Sequence, residues 1–238
     1  MTTWESPKKI LVILAHPDDP EFFCGGTIAK WIEEGHQVNY VLFTVGEKGI
    51  NDTFKDTKNI IQLRNTEQAS AAEVLGVSSI EYLGYADGAL FPCLEAQKDV
   101  VRKIRKNKPN IVVSCDPTNY YLNDDYINHP DHRYAGQIVI DAVFPAAQNK
   151  LYFPELLAEG FEPHKVDEVW LSLPKDANTF IDVTATWCKK VEALEKHKSQ
   201  IGDKDAFRKH MNSKAIPTEA DEKPRFEEKF NRIVFSRR

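Results

Sequence analysis

The feature that most limits the fold of this chain is an alternation. Short, unbroken apolar runs are separated by stretches whose apolar residues recur at helical spacing. The first run, Ile10–Ala15, carries no polar side chain, which suits a strand covered on both faces. Strands are expected at 38–45, 79–83, 111–115 and 169–173, and an edge strand at 231–235. Between them, helices are expected at 25–34, 61–75 (with Gly76 just past its end), 94–107, 132–147 and 184–200. A short helix is expected near 205–211, within an otherwise charged and irregular region, 203–229. Strands alternating with helices give an α/β fold, a mainly parallel sheet covered by helices. No repeat, low-complexity tract or linker interrupts the pattern, so residues 1–238 read as one domain.

The chemistry sits where two strands end. The run at 10–15 leads directly into His16-Pro17-Asp18-Asp19-Pro20-Glu21, and the strand at 111–115 leads into a polar loop closing with His129-Pro130-Asp131-His132-Arg133. In open α/β sheets the carboxyl ends of the strands carry the ligand site. If the two strands are parallel neighbours, His16, Asp18, Asp19, His129, Asp131 and His132 converge. Two imidazoles and a carboxylate bind zinc and leave a fourth position open. Zinc so held lowers the pKa of its water and makes it a nucleophile. A further carboxylate can take the proton and return it to a leaving amine, and a second imidazole can stabilise an oxyanion. The same donor set serves Fe2+. Each segment also has a plainer reading, as a turn in which Pro fixes a dihedral and Asp caps a helix. Two such segments, each after a buried strand, favour the metal.

These residues resemble a known family. The first motif followed by Gly25-Gly26-Thr27-Ile28-Ala29, and the later His-Pro-Asp-His-Arg, are similar to the LmbE-like (PIG-L type) zinc-dependent deacetylases. That family includes de-N-acetylases of N-acetylglucosaminyl-inositol lipids and of mycothiol and bacillithiol precursors, and chitobiose deacetylases. Arg64, Glu67, Ala71, Leu75 and Gly76 fit its R-x-x-E-x-x-x-A-x-x-x-L-G helix, and His197, Ser199 and Gln200 its late H-x-S-Q. The resemblance implies a three-layer Rossmann-like fold with a mainly parallel sheet, and a metal-dependent hydrolase that removes an acetyl group from an N-acetylglucosamine-type sugar. His16, Asp19 and His132 would hold the metal and Asp18 would be the general base. His129 would stabilise the oxyanion, with Asp131 orienting and charging its ring. Arg64 would grip substrate, and Glu67 would give structural support. Two departures stand out: Pro20, where many members have an acidic or small residue, and Val45, where an Asp is usual.

Bulk properties agree with a small-molecule enzyme. Thirty-six acidic against 31 basic residues give a net charge of −5, without the basic face that nucleic acid requires. Four scattered cysteines, 24, 93, 115 and 188, suit a reducing cytoplasm rather than a disulfide framework. No apolar run approaches the roughly 20 residues of a membrane span. Cys24, close to the first motif, reads as core packing rather than a ligand. Tyr120, Tyr121 and Tyr126 either wall a sugar site or pack their own loop. His197 reads as structural or as a subunit contact, since relatives are often oligomers and an exposed His197–Gln200 would suit one. Rival readings are a hydrolase of another small amide or ester, and a metal- or sugar-binding relative without turnover. A dinucleotide-binding oxidoreductase lacks its G-x-G-x-x-G fingerprint.

Overall fold

The computed structural model describes residues 4–50, 56–217 and 224–235. Strand β1 (Lys9–Leu14) leads into helix α1 (Asp19–Glu33), β2 (Gln37–Leu42) into α2 (Thr57–Leu75), and β3 (Ser79–Tyr82) into α3 (Leu94–Asn107). Strand β4 (Ile111–Cys115) is followed by a small hairpin, β5 (Tyr121–Asn123) and β6 (Tyr126–Ile127), and then by α4 (Pro130–Asp141). The remaining elements are α5 (Pro154–Ala158), β7 (Glu168–Ser172), β8 (Thr179–Asp182), α6 (Trp187–Leu194), α7 (Lys198–Ile201), α8 (Lys204–Asn212) and β9 (Glu227–Val234).

The sheet has seven strands in the order β3-β2-β1-β4-β7-β9-β8. Pairs β3–β2, β2–β1, β1–β4 and β4–β7 are parallel, whereas β9 runs antiparallel to β7 and β8. Alternate residues of β1 feed opposite cores. Ile10, Val12 and Leu14 pack with α1, α2 and α6, and Leu11 and Ile13 pack with α3 and α4. Burying each such side chain contributes about 1.5–3 kcal/mol. The apolar runs are therefore set by two helical layers at once.

The expected edge strand at 231–235 is longer and lies inside the sheet, between β7 and β8. Charged residues on its exposed face obscured it: within Glu227–Val234, Glu228 and Phe230 point inward. The edge belongs to β8, which the sequence reading did not include. The helix expected at 184–200 is broken, with α6 ending at Leu194 before a turn through His197. Part of the irregular 203–229 region, residues 218–223, lies outside the described residues. The helix expected to begin at 132 starts two residues earlier, at Pro130, and gives way at 142–147 to a wider turn containing Pro145.

Candidate active site

Strand order reverses between β1 and β4: β2 and β3 lie on one side of β1, and β4 starts the other. At such a switch point the connecting loops diverge and leave a crevice beyond the strand ends. The residues after β1 and those before α4 meet there. His16 Nδ1 is 3.3 Å from His132 Nε2 and 3.4 Å from Asp19 Oδ2, and His132 Nε2 is 3.1 Å from Asp19 Oδ1. Two ligand atoms, each about 2.1 Å from a tetrahedral ion, stand about 3.4 Å apart. The three side chains therefore meet at about that spacing, His16 facing one Asp19 oxygen and His132 the other.

The atoms behind the triad fit as well. A metal-bound imidazole needs a partner for its other nitrogen. His132 Nδ1 lies 3.1 Å from Asn128 Oδ1. His16 Nε2 lies 3.3 Å from Asp131 Oδ2 and 3.2 Å from Asp87 Oδ1. Burial opposes a charge on His16, yet the carboxylates of Asp19, Asp131 and Asp87 outweigh it and raise its pKa to about 12. The crevice thus demands positive charge, which a divalent cation would supply. Burial also opposes the charge on Asp19, but His132 and His16 hold its carboxyl well below the usual range.

Asp18 adjoins the triad in an unusual posture. Its backbone has φ +79°, in the left-handed region, which costs a non-glycine residue about 1–3 kcal/mol. It occupies the N-cap of α1, yet its side chain makes no capping bond, so the plain helix-cap reading fails for this motif. Its carboxylate instead accepts from Arg64 Nη1 at 3.2 Å. Burial pushes the Asp18 carboxyl up to about 6 against the pull of Arg64. Pro20 lies within the first two positions of α1, where its missing N–H costs nothing.

Two expected residues have partners that the sequence did not show. Arg64 is buried, and besides Asp18 it donates from Nη2 to the Pro17 carbonyl at 2.9 Å. Its guanidinium grips the segment carrying the aspartate. The Asp131 carboxylate is directed to His16 and to the Gly88 N–H, 2.7 Å away, rather than bonding the His129 ring. The bond between Asp131 and His129 runs from the Asp131 backbone N–H to His129 Nδ1 (3.1 Å). That bond makes His129 the N-cap of α4 and leaves any proton of the neutral ring on Nε2. Burial, then His16 and His132, lower the pKa of His129. It sits edge-on to His16, centroids 4.8 Å apart.

Glu67 accepts from the backbone N–H and hydroxyl of Ser199, 2.8 and 2.6 Å away. His197 is fully buried, against an exposed subunit contact. Cys24, within α1, is buried in the core. Tyr120, Tyr121 and Tyr126 are exposed, on or beside the β5–β6 hairpin, and Arg133 stacks over Tyr120. Asp87, in the loop after β3, belongs to neither sequence motif. The clue to it was its place at the same sheet edge as the two motifs.

Comparison with known proteins agrees with this geometry. The family model for GlcNAc-PI de-N-acetylase, PIG-L, matches residues 11–143. The diacetylchitobiose deacetylase of Thermococcus kodakarensis is 36% identical, over 82% of this chain and 70% of its own length. A probable N-acetyl-alpha-D-glucosaminyl L-malate deacetylase of Bacillus anthracis is 27% identical, over 84% of each chain. The structure of N,N'-diacetylchitobiose deacetylase from Pyrococcus horikoshii superposes with a TM-score of 0.86 at 29% identity, covering 97% of this chain and 85% of that one. The match extends over more than half of the chain and includes both His-Pro-Asp segments, so the protein belongs to the PIG-L family.

Proposed function

We propose that this chain is a zinc-dependent N-deacetylase, a single domain over residues 1–238, that hydrolyses the acetamide of an N-acetylglucosamine-type sugar in the cytoplasm. The observation that carries the reading is the triad of His16, Asp19 and His132 at tetrahedral spacing, with Asp18 beside it. Relatives whose names specify N-acetylglucosaminyl or chitobiose substrates support the choice of bond. Four free cysteines support the compartment. Among the described residues no helix is long and apolar enough to cross a membrane.

A divalent metal at the triad would supply Lewis acidity, activating water and polarising the acyl carbonyl. Asp18 takes the proton from the attacking water as the acyl carbon becomes tetrahedral. It then delivers that proton to the departing amine, giving acetate and a free amino sugar. His129 donates from Nε2 to the developing oxyanion. Asp131 and Asp87 fix the His16 ring from behind. Zinc suits two imidazoles and a carboxylate, and Fe2+ is the competing ion.

The test is acetate release from N-acetylglucosamine, diacetylchitobiose and an N-acetylglucosaminyl malate, with paired measurement of the free amine. Equal amounts of both products are expected. A chelator should abolish them, and zinc or Fe2+ added back separately identifies the metal. Metal-loaded protein that binds these sugars but frees no acetate would be a binding relative. Turnover confined to esters would move the reading to another bond.

A further inference from the structure

Glu21, Gln68 and His197 are polar, wholly shielded from solvent, and outside the proposed ligand set. Buried polar groups are tolerated when they bond one another, and these three are linked in sequence, His197 through Nε2 alone, since its buried Nδ1 has no partner among the described residues. His197 Nε2 lies 3.2 Å from Glu21 Oε2, and Gln68 Nε2 donates to Glu21 Oε1 at 3.1 Å. Gln68 Oε1 in turn accepts the backbone N–H of Asp18 at 2.8 Å. The residues come from α1, α2 and the turn after α6, so only the folded chain brings them together.

The order of these bonds has a direction. A carboxylate only accepts, so Glu21 obliges the Gln68 amide to present its NH2 group inward. The carbonyl end must then face Asp18, where a backbone donor waits. Rotating the amide would set oxygen against oxygen at one end and hydrogen against hydrogen at the other. His197 donates to the same carboxylate from its far side and fixes it. One turn earlier on α2, Arg64 holds the Pro17 carbonyl and the Asp18 carboxylate. The Asp18 carbonyl accepts from the N–H of Phe22 at 2.9 Å. The peptide between Pro17 and Asp18 is thus gripped at both of its polar atoms, by two side chains of one helix.

We infer that Gln68, oriented by the buried Glu21–His197 pair, is a positioning residue that holds Asp18 in its left-handed backbone conformation and so aims the carboxylate. The inference rests on the reading of Asp18 as the general base. It gives His197 a role as the far end of a relay, touching neither metal nor substrate. It also accounts for a glutamine at position 68, since a side chain lacking either a donor or an acceptor breaks the chain of bonds.

The test uses the metal-loaded full-length protein. Q68M keeps the side-chain length and removes both bonds. It should retain its metal content and a KM within about twofold of wild type while kcat falls about 10- to 100-fold, the scale of a small misplacement of a reacting group. Q68E sets two carboxylates face to face and should lose at least as much. The exchange E21Q/Q68E restores the order of donors and acceptors, because Glu at 68 accepts from Asp18 and from Gln at 21, whose carbonyl oxygen still accepts from His197; the second native contact, Gln68 Nε2 to Glu21 Oε2 at 3.2 Å, is not restored. It should return kcat to within about threefold of wild type, a strong coupling between the two sites. Wild-type kcat in Q68M, or an exchange no better than Q68E alone, overturns the inference. If Q68M does not fold, the comparison of the exchange with Q68E decides. A crystal structure of Q68M is expected to show Asp18 out of the positive-φ region; Asp18 unmoved refutes the relay whatever the enzyme hydrolyses. Absence of acetate from the wild type would instead count against the deacetylase reading alone.

Discussion

Asp18 illustrates how a backbone angle can select a side chain. Asp and Asn tolerate φ near +79° better than other L-residues, because a short polar side chain finds local bonds. Asn at this position should therefore keep the turn and its backbone bond to Gln68 while being unable to accept a proton. D18N is expected to bind one metal ion per chain and to lose about 10²- to 10⁴-fold in kcat, the usual contribution of a general base. Metal analysis beside steady-state kinetics checks this, and D18N turning over like wild type would remove Asp18 from the mechanism. Alanine is the poorer probe, because it adds backbone strain to the loss of the carboxylate. The convergence of the two motifs was legible in the sequence because both follow buried strands, whereas the choice of His16, Asp19 and His132 among their residues came from the resemblance. The partners of Asp18 were not: Gln68 and Glu21 are far apart along the chain, and an isolated glutamine on an amphipathic helix carries no signal of its own. Arg64 was legible as functional through the resemblance, but its target appears only when α2 is laid beside the first motif.

Strand β9 shows a similar division among the elements. The parallel half of the sheet could be read from its apolar runs, since each strand is covered on both faces. Strand β9 could not, because its inward residues include Glu228, whose carboxylate accepts from Gly26 and Thr27 N–H at 3.0 and 2.7 Å and from Lys190 Nζ at 2.6 Å. That group ties β9 to α1 and α6 through a buried ion pair. Removing one partner strands the other charge, so E228A should cost about 3–5 kcal/mol in denaturant unfolding. E228Q, which keeps one carbonyl oxygen for an α1 N–H, should cost less. Equal stability of E228A and wild type would show that the pair contributes nothing. On β7, Glu168 is pushed up by burial, but bonds from Arg232, Trp170 and Trp4 outweigh this and hold it below its ordinary value of 4.5. Its stabilisation is therefore complete above that ordinary value and is lost as pH falls through the lowered folded value. Unfolding free energy should drop in that acid range, and E168Q should flatten the slope there. An unchanged slope in E168Q would assign the acid sensitivity to other groups. Close packing is equally specific at α4: a Cβ on Gly136 would stand 2.3 Å from the Cys115 carbonyl oxygen. Only glycine lets α4 seat against the end of β4 and bring His132 to the triad.

At the scale of the whole molecule, the crevice is built to be completed. The two halves of the sheet are joined through the β1–β4 pair, and the side chains projecting beyond it carry Asp18, Asp19, Asp87 and Asp131 against His16. An ion bound by His16, Asp19 and His132 would link the segment after β1, the start of α1 and the start of α4. Binding to the native state alone stabilises it by RT ln(1 + [L]/Kd), about 4 kcal/mol when free metal exceeds Kd a thousandfold. For a chain of this size, each kcal/mol raises Tm by about 2–4 °C. Zinc should therefore raise the melting temperature of chelator-treated protein by about 8–16 °C under those conditions. D19N should remove most of that increment, since the substituted amide offers a neutral and weaker ligand, while D18N should keep it. The contrast separates holding the metal from using it, because both substitutions remove one negative charge from adjacent positions. Equal shifts in D19N and wild type would place the ion somewhere other than among His16, Asp19 and His132.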